Sequence, residues 1–427
     1  MLFERIAVLT PEGVLSDRYV ATQGATIAHI SDAPPAGDWG ERYDGRGKLL
    51  LPGFVNGHSH TPMTLLRGYG ENMVLQDWLQ KRIFPFEAQM TGSDIYWATL
   101  LGVAEMVRYG ITSTTDMYCK LPDMARAFVE GGAKINLSNG ITNFTRTPYD
   151  QIPAVREARD AVRDWHGAGD GRVLIDLSLH AEYTSDEATA RALAEDAARL
   201  GLHIHVHVSE TRAEHEACKV KFGRTPARYL ADCGLFDVPA TAAHCVWAEP
   251  EDFALLAEKG VTVGTCPKSN LKLASGVFNA RAAMAQGVPF AIGTDSVASN
   301  NNLNMIEELR TFALVQKGFS ADPTLITPAE ALYAATRAGA LAQGRDDCGE
   351  IREGFCADLC VLSLADPIAQ PTYDPLTSVV YTLSGSDVVL TMCDGRVLYR
   401  DGAFPTLDME RVVRETDAAR RRILGAL

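Results

Sequence analysis

Two hydrophobic rhythms divide this chain. Near the start, short apolar runs are broken by turns: "ERIAVLTPEG", "ATIAHISDAPPAG" and "GRGKLLLPG". They predict β-strands. The same rhythm returns late, in "GEIREGFCADLCVLSL" and "SDVVLTMCDGRVLYRDG", with a strand–turn–strand signal at Asp394-Gly395. The middle behaves differently. Apolar or β-branched runs end near His58, Asp116, Ile141, His180, His207, His244, Thr265 and Asp295, and helical patterns such as "SDIYWATLLGVAEMVRYG", "DEATARALAEDAARLG" and "NMIEELRTFALVQKG" follow most of them. Alternating strand and helix predicts a parallel sheet. Eight such units over roughly 250–300 residues have the size of a (β/α)8 barrel. The predicted class is α/β: a TIM-type barrel over 53–349, a small β-sandwich built from both chain ends (1–52 plus 350–405), and a charged C-terminal helix over 406–427. The third strand, "AKINLSNGI", carries the weakest pattern.

Composition narrows the function classes. Hydrophobic residues make up 46% of the 427 and charged residues 22%, enough to bury a large core. The net charge of -14 repels phosphate backbones, so nucleic acid is excluded as a partner. No apolar run is long enough to span a bilayer, so no membrane partner is expected. The first residues, "MLFERIAVLTPEG", lack the apolar core of a signal peptide. Nine cysteines, an odd number without CxxC spacing, read as reduced thiols of a cytoplasmic protein.

The chemistry gathers at the predicted strand ends, where barrel active sites stand. "NGHSH" ends the first barrel strand with His58 and His60. In "HIHVHVSE", His203, His205 and His207 alternate with apolar residues and so share one face. His207, nearest the C-terminal end, is the candidate ligand; the other two pack or hydrogen-bond lower in the barrel. Three imidazoles with the carboxylate of Asp295 suit a single divalent ion, zinc first and iron as the alternative. Such an ion lowers the pKa of a bound water toward neutrality and yields a hydroxide nucleophile. Glu210 and Asp295 are placed to move protons, and His244 to hold the nucleophile. His180 reads as either a substrate contact or a structural hydrogen bond. Cys245 and Cys266 read as apolar fillers, and Trp78, Trp97 and Trp247 as packing, with Trp78 also a candidate substrate contact. A non-catalytic metal-binding barrel is the distant alternative, but decay deletes donors, and here the whole set is present.

Taken together, "PGFVNGHSH", "HVHVSET", "AAHCVW", "PKSNLKLASG" and "IGTDSVASNNNLNMIEEL" resemble the amidohydrolase superfamily. More narrowly they are similar to its aminohydrolase branch, which includes methylthioadenosine/S-adenosylhomocysteine deaminases and s-triazine chlorohydrolases. The resemblance implies one ion on His58, His60, His207 and Asp295, because the fourth strand, "VLIDLSLHAEY", lacks the bridging lysine of binuclear relatives. It implies that Glu210 protonates a ring nitrogen while His244 and Asp295 orient and deprotonate the water, so that the ring carbon expels ammonia. "LLRGYGENMVLQDWLQKRIFPFE" is similar to the lid of nucleoside deaminases, and Glu87 matches the glutamate that accepts from a ribose diol. His180 and Ser299 match substrate-side positions.

The chain also departs from that pattern. Leu179 and Glu182 stand where relatives carry prolines, and the extra carboxylate is expected to alter the pocket toward a different or more cationic substrate. Thr265-Cys266 replaces a histidine-asparagine pair. Arg146, in "GITNFTRTPYD", is a candidate partner for a substrate carboxylate such as that of homocysteine. The activity implied is hydrolytic deamination of S-adenosylhomocysteine, 5'-methylthioadenosine or adenosine. Deamination of another purine, a pterin or a pyrimidine, or triazine-type hydrolysis, are the alternatives. The partner implied is a small purine nucleoside-like molecule, and the resemblance implies a homo-oligomer.

Overall fold

Turns and apolar runs of the first fifty residues become five strands: β1 (Leu2–Thr10), β2 (Gly13–Gln23), β3 (Thr26–Ser31), β4 (Arg42–Asp44) and β5 (Lys48–Pro52). The computed structural model describes the backbone of residues 1–427 and every side chain except those at 75 and 76. The middle of the chain supplies β6 (Phe54–Ser59), β7 (Ile111–Met117), β8 (Lys134–Ser138), β9 (Gly140–Ile141), β10 (Val173–Ile175), β11 (Leu177–Leu179), β12 (Ile204–Val208), β13 (Ala240–His244), β14 (Thr262–Thr265) and β15 (Phe290–Ile292). β16 (Leu359–Ser363), β17 (Val388–Cys393) and β18 (Arg396–Arg400) close the order.

The middle strands pair in parallel in two ladders, β10-β8-β7-β6 and β15-β14-β13-β12-β11-β9. The predicted third strand is β8 with β9, interrupted at Asn139, and the fourth is β10 with β11, interrupted at Asp176. These breaks split the hydrogen bonding between two ladders, so the barrel strands do not form one closed ladder. At the seam between first and last strands a single bridge joins Ser59 to Asp295. Glycine permits that approach. A Cβ on Gly293 would lie 2.6 Å from the backbone nitrogen of His58, and one on Gly57 would lie 2.8 Å from the Cβ of Ala291. The Asp295 amide then donates to the His58 carbonyl at 2.9 Å, which ties two predicted ligands together through the main chain.

Helices cover the strands as the periodicity predicts, for example Gly92–Arg108, Glu187–Leu200 and Met305–Ser320. The first of these starts at a capping box: Thr91 Oγ1 accepts from the Asp94 amide, and the Asp94 carboxylate accepts from the Thr91 amide. Helices Pro153–Trp165 and Arg212–Phe222 were not anticipated. Both are rich in charge and bury few residues, so their apolar signal is weak.

The two chain ends do meet. They pair as one continuous eight-stranded sheet, in the order β18-β17-β16-β5-β1-β2-β3 with β4 also on β1. It buries Phe3, Ile6, Val8, Leu359, Val361 and Met392 in a core of its own. Lys134, at the start of β8, reaches into it, with its ammonium 2.6 Å from the carboxylates of both Asp358 and Asp394. The C-terminal helix Met409–Ala426 lies on helix Gly92–Arg108, with Val412 against Tyr96 and Leu100. Among the described residues, no helix is long and apolar enough to cross a membrane.

Candidate metal centre and active site

Period-two strands ending at one level bring the predicted donors together. The ligand atoms of His58, His60 and Asp295 lie within 4.8 Å of one another, as do those of His58, His207 and His244. His58 and His60 Nε2 stand 3.7 and 3.4 Å from Asp295 Oδ1. Each imidazole is held through its other nitrogen. His60 Nδ1 meets the Met117 carbonyl at 2.5 Å, His207 Nδ1 the His180 carbonyl at 2.6 Å, and His58 Nδ1 the His205 Nε2 at 2.9 Å. A carbonyl fixes the proton on Nδ1 and leaves Nε2 as a free lone pair, which is how metal-bound histidines are usually oriented.

The donors fit a cation. His58 is wholly buried, and its Nε2 has no hydrogen-bond partner among the described residues, a costly state for a buried polar atom unless something else coordinates it. Burial and the surrounding imidazoles hold the pKa of His58 and His207 well below the usual range, so both are neutral and ready to ligate. Three nitrogens and one oxygen at strand ends match a zinc-type site with an open position.

The carboxylate of Asp295 is fixed on both oxygens. Oδ1 accepts from the Ser296 amide at 2.8 Å, and Oδ2 from Ser269 Oγ at 2.5 Å and Ser299 Oγ at 3.1 Å. Its backbone has φ +57°, a left-handed conformation rare for a side-chain-bearing residue. Ser209 (+49°) and His244 (+69°), at two other strand ends, share it. Such strain clusters where a site is held in a fixed shape.

Beside the donors, His244 Nε2 stands 3.9 Å from Glu210 Oε2, and its Nδ1 meets Asn270 Oδ1 at 2.9 Å. Burial raises the pKa of Glu210, with His244 acting against the rise. A carboxyl shifted that way is suited to carry a proton near neutral pH. Burial disfavours the charged form of His244, but the carboxylates of Glu210 and Asp295 outweigh it and raise its pKa.

His60, His207, Asp295, Glu210 and His244 line one cavity of about 230 Å³, which Glu87, His180, Ser299 and Trp78 also line; His58 is buried and is not part of that lining. The Tyr118 hydroxyl donates to Glu87 at 2.5 Å, and burial raises the pKa of that carboxyl. His180 is lowered to about 4 by burial, and its Nδ1 has no partner among the described residues. The structure does not bring every predicted residue here. Arg146 is exposed and lies outside the cavity wall. Glu182 is buried but lines a different cavity of about 260 Å³, with Glu214 and Lys221. It therefore does not alter the first pocket by contact. Thr265 and Cys266 are buried away from the lining. Trp97 packs under Arg411 and Trp247 donates to the Ser275 carbonyl, neither in the cavity. Sequence reasoning missed Tyr118, Ser269 and Asn270; the last two sit in "PKSNLKLASG", which carried the resemblance without an assigned role.

Comparison with known proteins agrees with this geometry. The chain is 41% identical over 370 residues, 86% of each chain, to a 5-methylthioadenosine/S-adenosylhomocysteine deaminase of Moorella thermoacetica. It is 38% identical over 426 residues, 99% of each chain, to a 5'-deoxyadenosine deaminase of Methanothermobacter thermautotrophicus. A crystal structure of an adenosine deaminase from Xanthomonas campestris with bound zinc superposes with a TM-score of 0.93 at 31% identity, covering 99% of this chain and 98% of that one. The atrazine chlorohydrolase TrzN from Arthrobacter aurescens, at 23% identity and a TM-score of 0.90, shares the fold over 98% of this chain and 99% of its own. With the family's sequence model matching residues 49–398, the chain belongs to the amidohydrolase family.

Proposed function

We propose that this protein is a metal-dependent hydrolase of cyclic amidine C–N bonds, a deaminase that converts an adenosine derivative to its inosine analogue and ammonia. One observation carries the reading: His58, whose buried Nε2 has no hydrogen-bond partner among the described residues, offers a ligand atom within 4.8 Å of those of His60 and Asp295 and of those of His207 and His244, and His60, His207, Asp295, Glu210 and His244 share one cavity wall. Relatives named for adenosine derivatives, at 36–41% identity over most of the chain, favour a nucleoside over a triazine, whose hydrolase shares only the fold at 23%.

His58, His60, His207 and Asp295 would hold the ion, zinc first and iron as the alternative, and that ion supplies Lewis-acid activation of the attacking water. The chain's own residues do the rest. His244 Nε2 holds the water against the ring. The water oxygen bonds to the amino-bearing ring carbon while Asp295 accepts a proton. Glu210 delivers its proton to the adjacent ring nitrogen, Asp295 passes on the water proton it took to the amino group, and the carbon–nitrogen bond breaks to release ammonia as the remaining hydroxyl proton returns to Glu210 and the carbonyl forms. Glu87 accepts hydrogen bonds from the ribose diol, whose two hydroxyls match its two oxygens. His180, Ser299 and Trp78 complete the substrate wall.

The same proposal includes the division of the chain into a small sandwich-like end domain (1–52 plus 350–405), a barrel (53–349) and a C-terminal helix (406–427). It also includes a homo-oligomer and a cytoplasmic location, which suits nine free cysteines. The test is ammonia release by metal-loaded protein from adenosine, 5'-methylthioadenosine, guanine, a pterin and a triazine. Release from the adenosine nucleosides, abolished by a chelator and restored by zinc, is the expected result. Release confined to the pterin or triazine overturns the substrate class.

A further inference from the structure

The named relatives act on nucleosides that differ at one place, the 5' substituent: a methylthio group or hydrogen is uncharged, whereas homocysteine carries a carboxylate and an ammonium. Resting on the deaminase reading, we infer that this cavity selects adenosine derivatives with an uncharged 5' substituent and discriminates against those bearing a carboxylate.

The argument is one of charge. The cavity wall contains the carboxylates of Glu87, Glu210 and Asp295, and among the described residues no lysine or arginine lines it. Much of the remaining wall is apolar: Met63, Trp78, Leu79, Ile83, Phe84 and Met117. Two basic side chains next to lining segments are engaged elsewhere. Lys272 Nζ lies 2.9 Å from the Glu71 carboxylate. The Arg82 guanidinium covers the Tyr69 ring, 5.6 Å from its centroid. Lys120 stands next to the lining residue Cys119 but is not itself part of the wall. Arg146, the one cation the sequence offered for a substrate carboxylate, is exposed and outside the wall. A carboxylate entering the apolar part of this space loses solvent and meets no lysine or arginine of the wall to offset the cost. A methylthio or methyl group meets only the apolar wall and gains from burial.

The experiment compares kcat/KM for three thioethers on the metal-loaded enzyme: 5'-methylthioadenosine, S-adenosylhomocysteine, and the decarboxylated homologue that keeps the ammonium on a propyl chain. S-adenosylhomocysteine should fall at least about tenfold below 5'-methylthioadenosine. The decarboxylated compound should recover most of that loss, because charge and not length is the obstacle. A ratio under tenfold, or a decarboxylated homologue as poor as S-adenosylhomocysteine itself, overturns the inference. Failure to release ammonia from any of the three would instead count against the deaminase reading beneath it.

Discussion

The wall that holds the donors and the roof that faces the substrate are built on opposite principles. On the wall, His58, His60, His207 and Asp295 stand on or just beyond parallel strands, and each side chain is fixed by a named second partner such as Met117, His180, His205 or Ser269. The roof is the segment after β6, broken into the short helices Thr61–Leu66, Leu79–Ile83 and Phe84–Glu87. None of these three has a side-chain cap, and Leu79–Ile83 is wound as a π-turn. π-turns recur at functional sites, where they present side chains that a regular helix would turn away. Under the proposed function, chemistry is anchored on the wall and substrate choice on the roof and the loops that meet it.

If that division holds, damage to the wall should abolish turnover, and damage to the roof should shift preference. The largest effect is expected for His207→Ala. It should lose the bound ion in elemental analysis and lower turnover by more than about 10⁴-fold, since water without a cation is a far poorer nucleophile. Next comes Glu210→Gln, which should keep the ion and lose about 10³-fold in kcat, the scale of a lost proton carrier; a variant within threefold of wild type would remove Glu210 from the mechanism. On the roof, Glu87→Ala should raise KM about tenfold with kcat little changed, and should erase the preference for a ribose over a deoxyribose substrate.

The smallest effect concerns neither region's chemistry. Burial, aided by Glu214, raises the Glu182 carboxyl to about 9, far above its usual value near 4.5. The folded state then binds a proton that the unfolded chain has released, so stability falls as pH rises from about 4.5 toward 9. Glu182→Gln mimics the neutral form. It should flatten that slope and be more stable than wild type at pH 9, read by urea unfolding at pH 6 and 9. An unchanged slope would show that Glu182 is charged in the fold.

The same division explains what the sequence made legible. The donors announced themselves because imidazoles are unusual at the ends of apolar strands, and period two selects which face they share. Strand ends read from the pattern fall within a few residues of those observed, as at His58 against Ser59 and Asp116 against Met117. Tyr118, Asn270 and Ser269 were silent because a tyrosine, an asparagine and a serine are ordinary in loops, and only tertiary contact gives them their task. Arg146 and Glu182 misled for the related reason that proximity in sequence to a strand end does not fix where a loop side chain goes.

Anomalous diffraction from crystals of the zinc-loaded protein tests the central claim most directly. A single peak is expected, about 2.0–2.2 Å from the Nε2 atoms of His58, His60 and His207 and from an oxygen of Asp295. A peak elsewhere, or one that leaves any of these four unligated, would contradict the account.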